Sequence, residues 1–269
     1  MFEDMLVVIK GGGDLATGVA YRLHKVGFPV VITELPQPLV VRRTAAFASA
    51  VFEGRAEIEG VVARLVQDME QVLKRLSLDE IPVVIDPEAR IIAALHPYVV
   101  VDAIMAKRNT GTTINDAPIV IGLGPGFTAE EDVHAVVETN RGHNLGRVYL
   151  WGKAEADTGV PGDIEGFTEE RVLHAPCDGI FSAERHIGEW VTENQVIGYV
   201  DIMPVLSSIS GLIRGLLADG VAVREGAKLG DIDPRCEVEH CYTISDKARA
   251  VGGGVLEAIL YLHRQRQQK

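Results

Sequence analysis

The residues best suited by type and spacing to do chemistry open the chain. Leu6 to Ile9 is a short aliphatic run, and Gly11, Gly12, Gly13 and Asp14 follow, so that the glycines read Gly11-x-Gly13-x-x-Ala16. Between a strand and a helix, such a turn lets main chain approach a pyrophosphate. The first glycine makes the turn, the second admits the phosphate, and the helix start offers N–H groups that have no partner within the helix. Glu34 closes the next aliphatic run about 20 residues on, where a carboxylate can accept from a ribose diol. A tight βα turn with no ligand is the alternative reading of the same residues. The lysine-bearing phosphate loop is excluded, because Val19 and Ala20 stand where Lys and Ser or Thr would touch phosphate and magnesium.

A second glycine turn, Gly124 and Gly126, ends the aliphatic segment 117–127, and its N–H groups are candidates for an anion. Thr128 and Glu131 after it have the spacing of a capping box, which predicts a short helix. Asp102 interrupts the apolar run 98–104, so it must be hydrogen-bonded or sit at a strand end over a cleft, and Lys107 is near enough to pair with it. Glu138, Arg141 and His143 gather at a further turn, either reaching the same cleft or satisfying the turn itself. Arg42 and Arg43 read as ion-pair or solvated groups ahead of an anion site. Cys236, His240 and Cys241, with His174 and Cys177 farther off, lack the spacing of a zinc knuckle, so no metal is expected and the roles of the three cysteines stay open. Neither H-E-x-x-H nor G-x-S-x-G occurs, which removes the zincin and nucleophile-elbow hydrolase signatures.

Elements to position these groups are legible in the periodicity. Residues 14–25 form an amphipathic helix stopped by Gly27. Strands are predicted over 28–33, 61–66, 83–86 and 98–104, with a helix over 69–76. A strand, turn, helix and strand within about 30 residues is the unit of a parallel sheet with right-handed crossovers. Beyond Ala175, Gly179, Gly188, Val191, Gly198 and Val200 recur 32 positions later as Gly211, Gly220, Val223, Gly230 and Ile232. Two such halves predict the flattened barrel of hammerhead strands found in biotinyl and lipoyl domains. The joint between them, residues 199–208, holds no lysine to acylate, so neither biotin nor lipoate is expected. Asp231, Asp233 and Arg235 form a dense polar group that suits an Asp–Arg lock. Ser245 is placed to cap a final helix, in which Gly252, Gly253 and Gly254 cost about 1 kcal/mol each relative to alanine, a cost that implies close packing of backbone or ligand.

The 269 residues carry 38 acidic against 26 basic side chains, a formal charge of −12, which argues against nucleic acid as a partner. Hydrophobic residues make up 47%, enough for a substantial core, yet no apolar run nears the ~18 residues of a membrane span and no charged-then-apolar leader opens the chain. Three cysteines without a CxxC point to a reducing cytoplasm. The expected fold class is α/β: a Rossmann-like parallel-sheet domain over 1–170 that binds a nucleotide or other cofactor, a biotinyl/lipoyl-like barrel over 171–235, and a C-terminal helical segment over 236–269 packing back on the first domain.

Three stretches, GGGDLATGVA at 11–20, VDAIMAK at 101–107 with GPGFTAEEDVHAVVETNRGHNLGRV at 124–148, and the run from SGLIRGLLADG to GGGVLEAIL over 210–260, resemble the selenium-dependent molybdenum hydroxylase system protein family. The N-terminal half is similar, more distantly, to the Rossmann domain of xanthine dehydrogenase accessory factors. The resemblance spans essentially the whole chain and implies a maturation factor, with or without catalysis, that binds a molybdopterin-type cofactor or a nucleotide and hands it to a molybdenum hydroxylase apoenzyme. The cofactor-binding residues expected are Gly11, Gly12, Gly13, Asp14, Ala16, Glu34, Gly124 and Gly126. An NAD(P)-dependent oxidoreductase and a docking scaffold are the alternatives, and self-association is open to any of them.

Overall fold

The computed structural model describes residues 2–268, which form two compact units. Unit 1 takes the chain up to Pro38, then Phe47–Asp157, and resumes at Ile244; unit 2 takes Leu39–Ala46 and Thr158–Thr243.

Among the described residues, unit 1 is built on nine strands: β1 (Val7–Lys10), β2 (Val30–Glu34), β3 (Arg55–Ile58), β4 (Val61–Val66), β5 (Ile81–Ile85), β6 (Val99–Asp102), β7 (Ile119–Leu123), β8 (Ala135–Val137) and β9 (Val148–Tyr149). Their spatial order is β3-β4-β5-β2-β1-β6-β7-β8-β9. The strands from β4 to β8 run parallel, while β3 and β9 pair antiparallel at the two edges. Its helices are α1 (Asp14–Lys25), α2 (Ala50–Glu53), α3 (Met69–Ser77), α4 (Ile91–Leu95) and α5 (Asp246–Gln267). The central strands are apolar on both faces because both are covered. Val7, Ile9, Val99, Val101 and Ile121 share a core with α1 and α5, and Val8, Val31, Val100 and Val120 share one with α3 and α4.

The glycines of α5 have a packing reason. A Cβ on Gly252 would lie 2.6 Å from the Gly18 carbonyl oxygen of α1, and one on Gly254 would overlap the Gly146 carbonyl, whereas Gly253 meets nothing within 4 Å. Ser245 caps α5 as its sequence position implied, accepting from the Ala248 N–H.

In unit 2 the strands are β10 (Val172–His174), β11 (Gly179–Ala183), β12 (Trp190–Val191), β13 (Val196–Val200), β14 (Met203–Leu206), β15 (Gly211–Leu216), β16 (Ala222–Val223) and β17 (Lys228–Asp233). They form two antiparallel sheets, β10-β17-β15-β12 and β14-β13-β11-β16. The 32-residue repeat is written into the register. Gly179 pairs with Val223 as Gly211 pairs with Val191, and Phe181 with Val200 as Ile213 with Ile232. The relation extends to β10 and β14, where Leu173 faces Gly230 and Val205 faces Gly198. Each half lends its short strand, β12 or β16, to the other half's sheet, and one core containing Phe181, Ile197, Ile213, Leu229 and Ile232 lies within the unit.

The expected architecture is therefore corrected in both parts. The first sheet is mixed and not the parallel Rossmann-like sheet. One cause is the β3–β4 hairpin, whose turn residues Glu59 and Gly60 both have positive φ (48° and 80°), the geometry that folds a strand back antiparallel. The lipoyl-like barrel is replaced by two open sheets, and no closed barrel is present among the described residues. The helix expected at Thr128 is absent: Asp132 Oδ2 accepts from the Thr128 N–H at 2.8 Å, and the turn ends in a bridge from Ala129 to Val133.

Candidate functional site

Chain direction reverses its progress across the sheet at β1. From β1 the chain proceeds through α1 to β2 on one side, and β6 and β7 are added on the other. Open α/β sheets offer ligands a crevice outside the carboxyl ends of two strands that diverge in this way. The loops after β1, β2, β6 and β7 meet at that edge.

Gly11 (φ +90°) makes the turn after β1, and a Cβ there would stand 3.1 Å from the Ala103 carbonyl oxygen beyond β6. Gly12 is buried against Ala48, whose N–H donates to the Gly12 carbonyl at 2.8 Å. Gly13 precedes α1 in an extended conformation, with no side-chain cap, and a Cβ there would meet nothing within 4 Å. Asp14 opens α1 and is half-buried, and Ala16 is fully buried in the core. Glu34 ends β2 with both carboxylate oxygens engaged: Oε2 accepts from the Gly12 N–H and Oε1 from the Leu35 N–H, each at 2.7 Å. Burial pushes the Glu34 carboxyl above its ordinary range, against the pull of those two N–H groups.

Gly124 and Gly126 are explained by packing. A Cβ on Gly124 would overlap the Thr139 hydroxyl, and one on Gly126 would lie 2.7 Å from the Arg108 backbone. Both have positive φ. The two glycine turns thus share the edge, but open space is found beside Gly13.

Beneath the crevice lies a buried polar group that the sequence half disclosed. Lys10 and Asp102 are register partners on β1 and β6, and both are buried. Lys10 Nζ donates to Thr112 Oγ1 and Thr112 Oγ1 to Asp102 Oδ2, both at 2.5 Å, with 3.6 Å between Lys10 Nζ and Asp102 Oδ2. Lys107, near enough in sequence to pair with Asp102, reaches Asp157 at 2.6 Å. Its positive φ of 61° follows Met105, also at 61°, within the β6–β7 crossover.

Other candidates are spent on structure. Glu138 accepts from the N–H groups of Thr139, Asn140 and Glu155, and Arg141 forms a bidentate pair with Asp246, so neither contributes to the crevice. His143 is exposed. In unit 2, Arg42 donates to the carbonyls of His240 and Thr243, Arg43 to that of Leu216, and Asp233 holds Arg235 and Arg214. Burial pushes the Cys236 and Cys241 thiols up, away from thiolate chemistry. Among the described residues no group of three or more His, Cys, Asp or Glu could hold a metal ion, and no helix is long and apolar enough to cross a membrane.

Comparison with known proteins adds relatives but no activity. No family model matches the chain. An uncharacterized Escherichia coli (strain K12) protein, YqeB, is 50% identical over 260 residues, 97% of this chain and 48% of that protein, so the chain spans about half the length of this curated relative. Solved structures that align include an aspartoacylase family protein of Mesorhizobium loti, 11% identical over 86% of each chain with a TM-score of 0.28. A succinylglutamate desuccinylase from Silicibacter, 13% identical over 86% of this chain and 85% of its own, has a TM-score of 0.25. Likenesses this slight carry no argument for fold or activity. None of these proteins is described as a molybdenum hydroxylase accessory factor. The resemblance to that family is corrected accordingly, and with it go the maturation role, the selenium connection and the molybdopterin that rested on it.

Proposed function

We propose that this chain binds a nucleotide at the carboxyl edge of its nine-stranded sheet, beside the crevice between β1 and β6. The observation that supports the reading is the pairing of Glu34 with the glycine turn: a carboxylate held by the Gly12 N–H next to a helix start that is open at Gly13. Each Glu34 oxygen accepts one N–H shown above and keeps further lone-pair capacity, so the pair of oxygens can still receive two ribose hydroxyls. The first N–H groups of α1, which lack partners within the helix, face where a phosphate would follow. Attraction comes from main-chain dipoles, and the formal charge of −12 does not oppose it at this short range.

Isothermal calorimetry and thermal denaturation with NAD, CTP and AMP test the reading, using wild type and Gly13→Val. The valine Cβ meets no neighbour, so the variant folds while its side chain fills the phosphate position. Binding of one nucleotide to wild type and its loss in the variant is expected. Failure of all three to bind, or equal affinity in both proteins, overturns it.

A further inference from the structure

The crossover from β6 to β7, residues 103–118, has no helix, and a segment of this length without secondary structure is unusual inside a compact unit. It is nonetheless firmly tied. Asn109 Oδ1 accepts from the N–H groups of Gly111 and Thr112, Asp116 accepts from Thr113, and Thr112 is anchored on Asp102. Where a crossover helix would cover the sheet, a cleft of about 900 Å³ opens between this loop and α4. That volume is in the range of small-molecule sites.

The chemistry of the lining is lopsided. Glu88 is paired with Arg90, and Asp116 is engaged by Thr113. Both carboxylates keep lone-pair capacity, but the cations of the lining outnumber them, Lys10, Arg90 and Arg266 against Glu88 and Asp116. Lys10 gives one of its three hydrogens to Thr112. His134 Nδ1 accepts from the Val120 N–H at 3.0 Å, which puts the hydrogen of the neutral ring on Nε2. Burial and the nearby Arg266 hold the His134 ring below its ordinary pKa. Arg266 is exposed and has no hydrogen-bond or ion-pair partner among the described residues.

We propose that this cleft is a second binding site, for a small molecule carrying an oxyanion, a phosphate or a carboxylate group, received by Arg266 and His134, with Lys10 at another part of the lining. Its lining contains none of Gly11, Gly12, Gly13 and Glu34, so it is tested separately from the nucleotide reading.

The test uses inorganic phosphate and malonate as probes, followed by calorimetry and thermal denaturation, on wild type, Arg266→Gln, His134→Asn and Gly13→Val. Arg266 is exposed and asparagine preserves an acceptor for the Val120 N–H, so both cleft variants retain the fold. Saturable binding of a probe, weakened about tenfold or more by each cleft substitution and unchanged in Gly13→Val, is expected. A response to phosphate alone identifies a phosphate ester as the ligand class, and a response to malonate alone a carboxylic acid. Absence of saturable binding, or binding lost in Gly13→Val and retained in both cleft variants, overturns the proposal; the latter result leaves the glycine-turn site standing.

Discussion

Lys10 and Asp102 stand side by side at the carboxyl ends of β1 and β6, 3.6 Å apart and joined through the hydroxyl of Thr112. Removing one member of a buried pair strands the other. Lys10→Met should therefore cost about 3–5 kcal/mol in urea denaturation, and Lys10→Met combined with Asp102→Asn should cost less than Lys10→Met alone. A double variant no more stable than the single one would show that the pair is not a closed unit.

Thr112→Val leaves the pair in place but deletes its bridge. A loss of about 1–3 kcal/mol is expected from the unsatisfied donor and acceptor. Because Thr112 also anchors the crossover, amide exchange over residues 109–116 should quicken in the same variant, and protection equal to wild type would free the crossover from that anchor.

Glu34 separates stability from binding. Its folded-state pKa is raised, so its contribution is present at low pH and is lost as pH rises from the ordinary value of 4.5 through the folded value. At neutral pH the charged form is a cost, but Glu34→Gln keeps one acceptor oxygen and sets its NH2 against the second of the two N–H groups. The shift is therefore read from the pH dependence of stability above pH 4.5, which should flatten in the variant. The same variant should bind a ribose-bearing nucleotide about 1.5–3 kcal/mol more weakly, as measured by calorimetry. Unchanged affinity would take Glu34 out of the site.

The glycine triplet in α5 offers a neighbouring pair with opposite outcomes. Gly254→Ala drives a methyl into the Gly146 carbonyl and should destabilise by about 1–3 kcal/mol. Gly253→Ala faces open space and should stabilise by about 0.5–1 kcal/mol through helix propensity. Thermal denaturation of both variants reads the difference, and equal shifts would refute close backbone packing at Gly254.

Acidification should weaken unit 1 through its histidines. Burial lowers the pKa of both His24 and His134, so the unfolded chain takes up protons first as pH falls below the ordinary value of 6.5. Stability is full above that value and declines until the folded-state values are passed. The decline between pH 7.5 and 5.5, followed in urea, should be smaller in His134→Asn; an equal decline would remove His134 from the titration.

Much of the local structure follows from composition and spacing. The aliphatic runs give β1, β2 and β6, because a strand buried on both faces needs apolar residues at successive positions. The 32-residue repeat was legible from glycines and β-branched residues, although its first strands, β10 and β14, carry no such marker and emerge from the register alone. The capping box at Thr128 misled because Asp132, four residues on, competes for the same N–H.

The sequence by itself determined the glycine turn, the acid at the end of β2 and the duplicated strands, since each depends on residues near one another or on a fixed period. Only the tertiary structure decided that the nine-stranded sheet is mixed, that the duplicated strands form two open sheets, and that Lys10 and not Lys107 answers Asp102. Those outcomes depend on which distant strands become neighbours. Lys10 and Asp102 are brought into register by parallel pairing of β1 with β6, a contact that no local spacing specifies. The cleft beside α4 likewise exists because one crossover lacks a helix, and a missing helix acquires meaning only against the sheet it leaves uncovered.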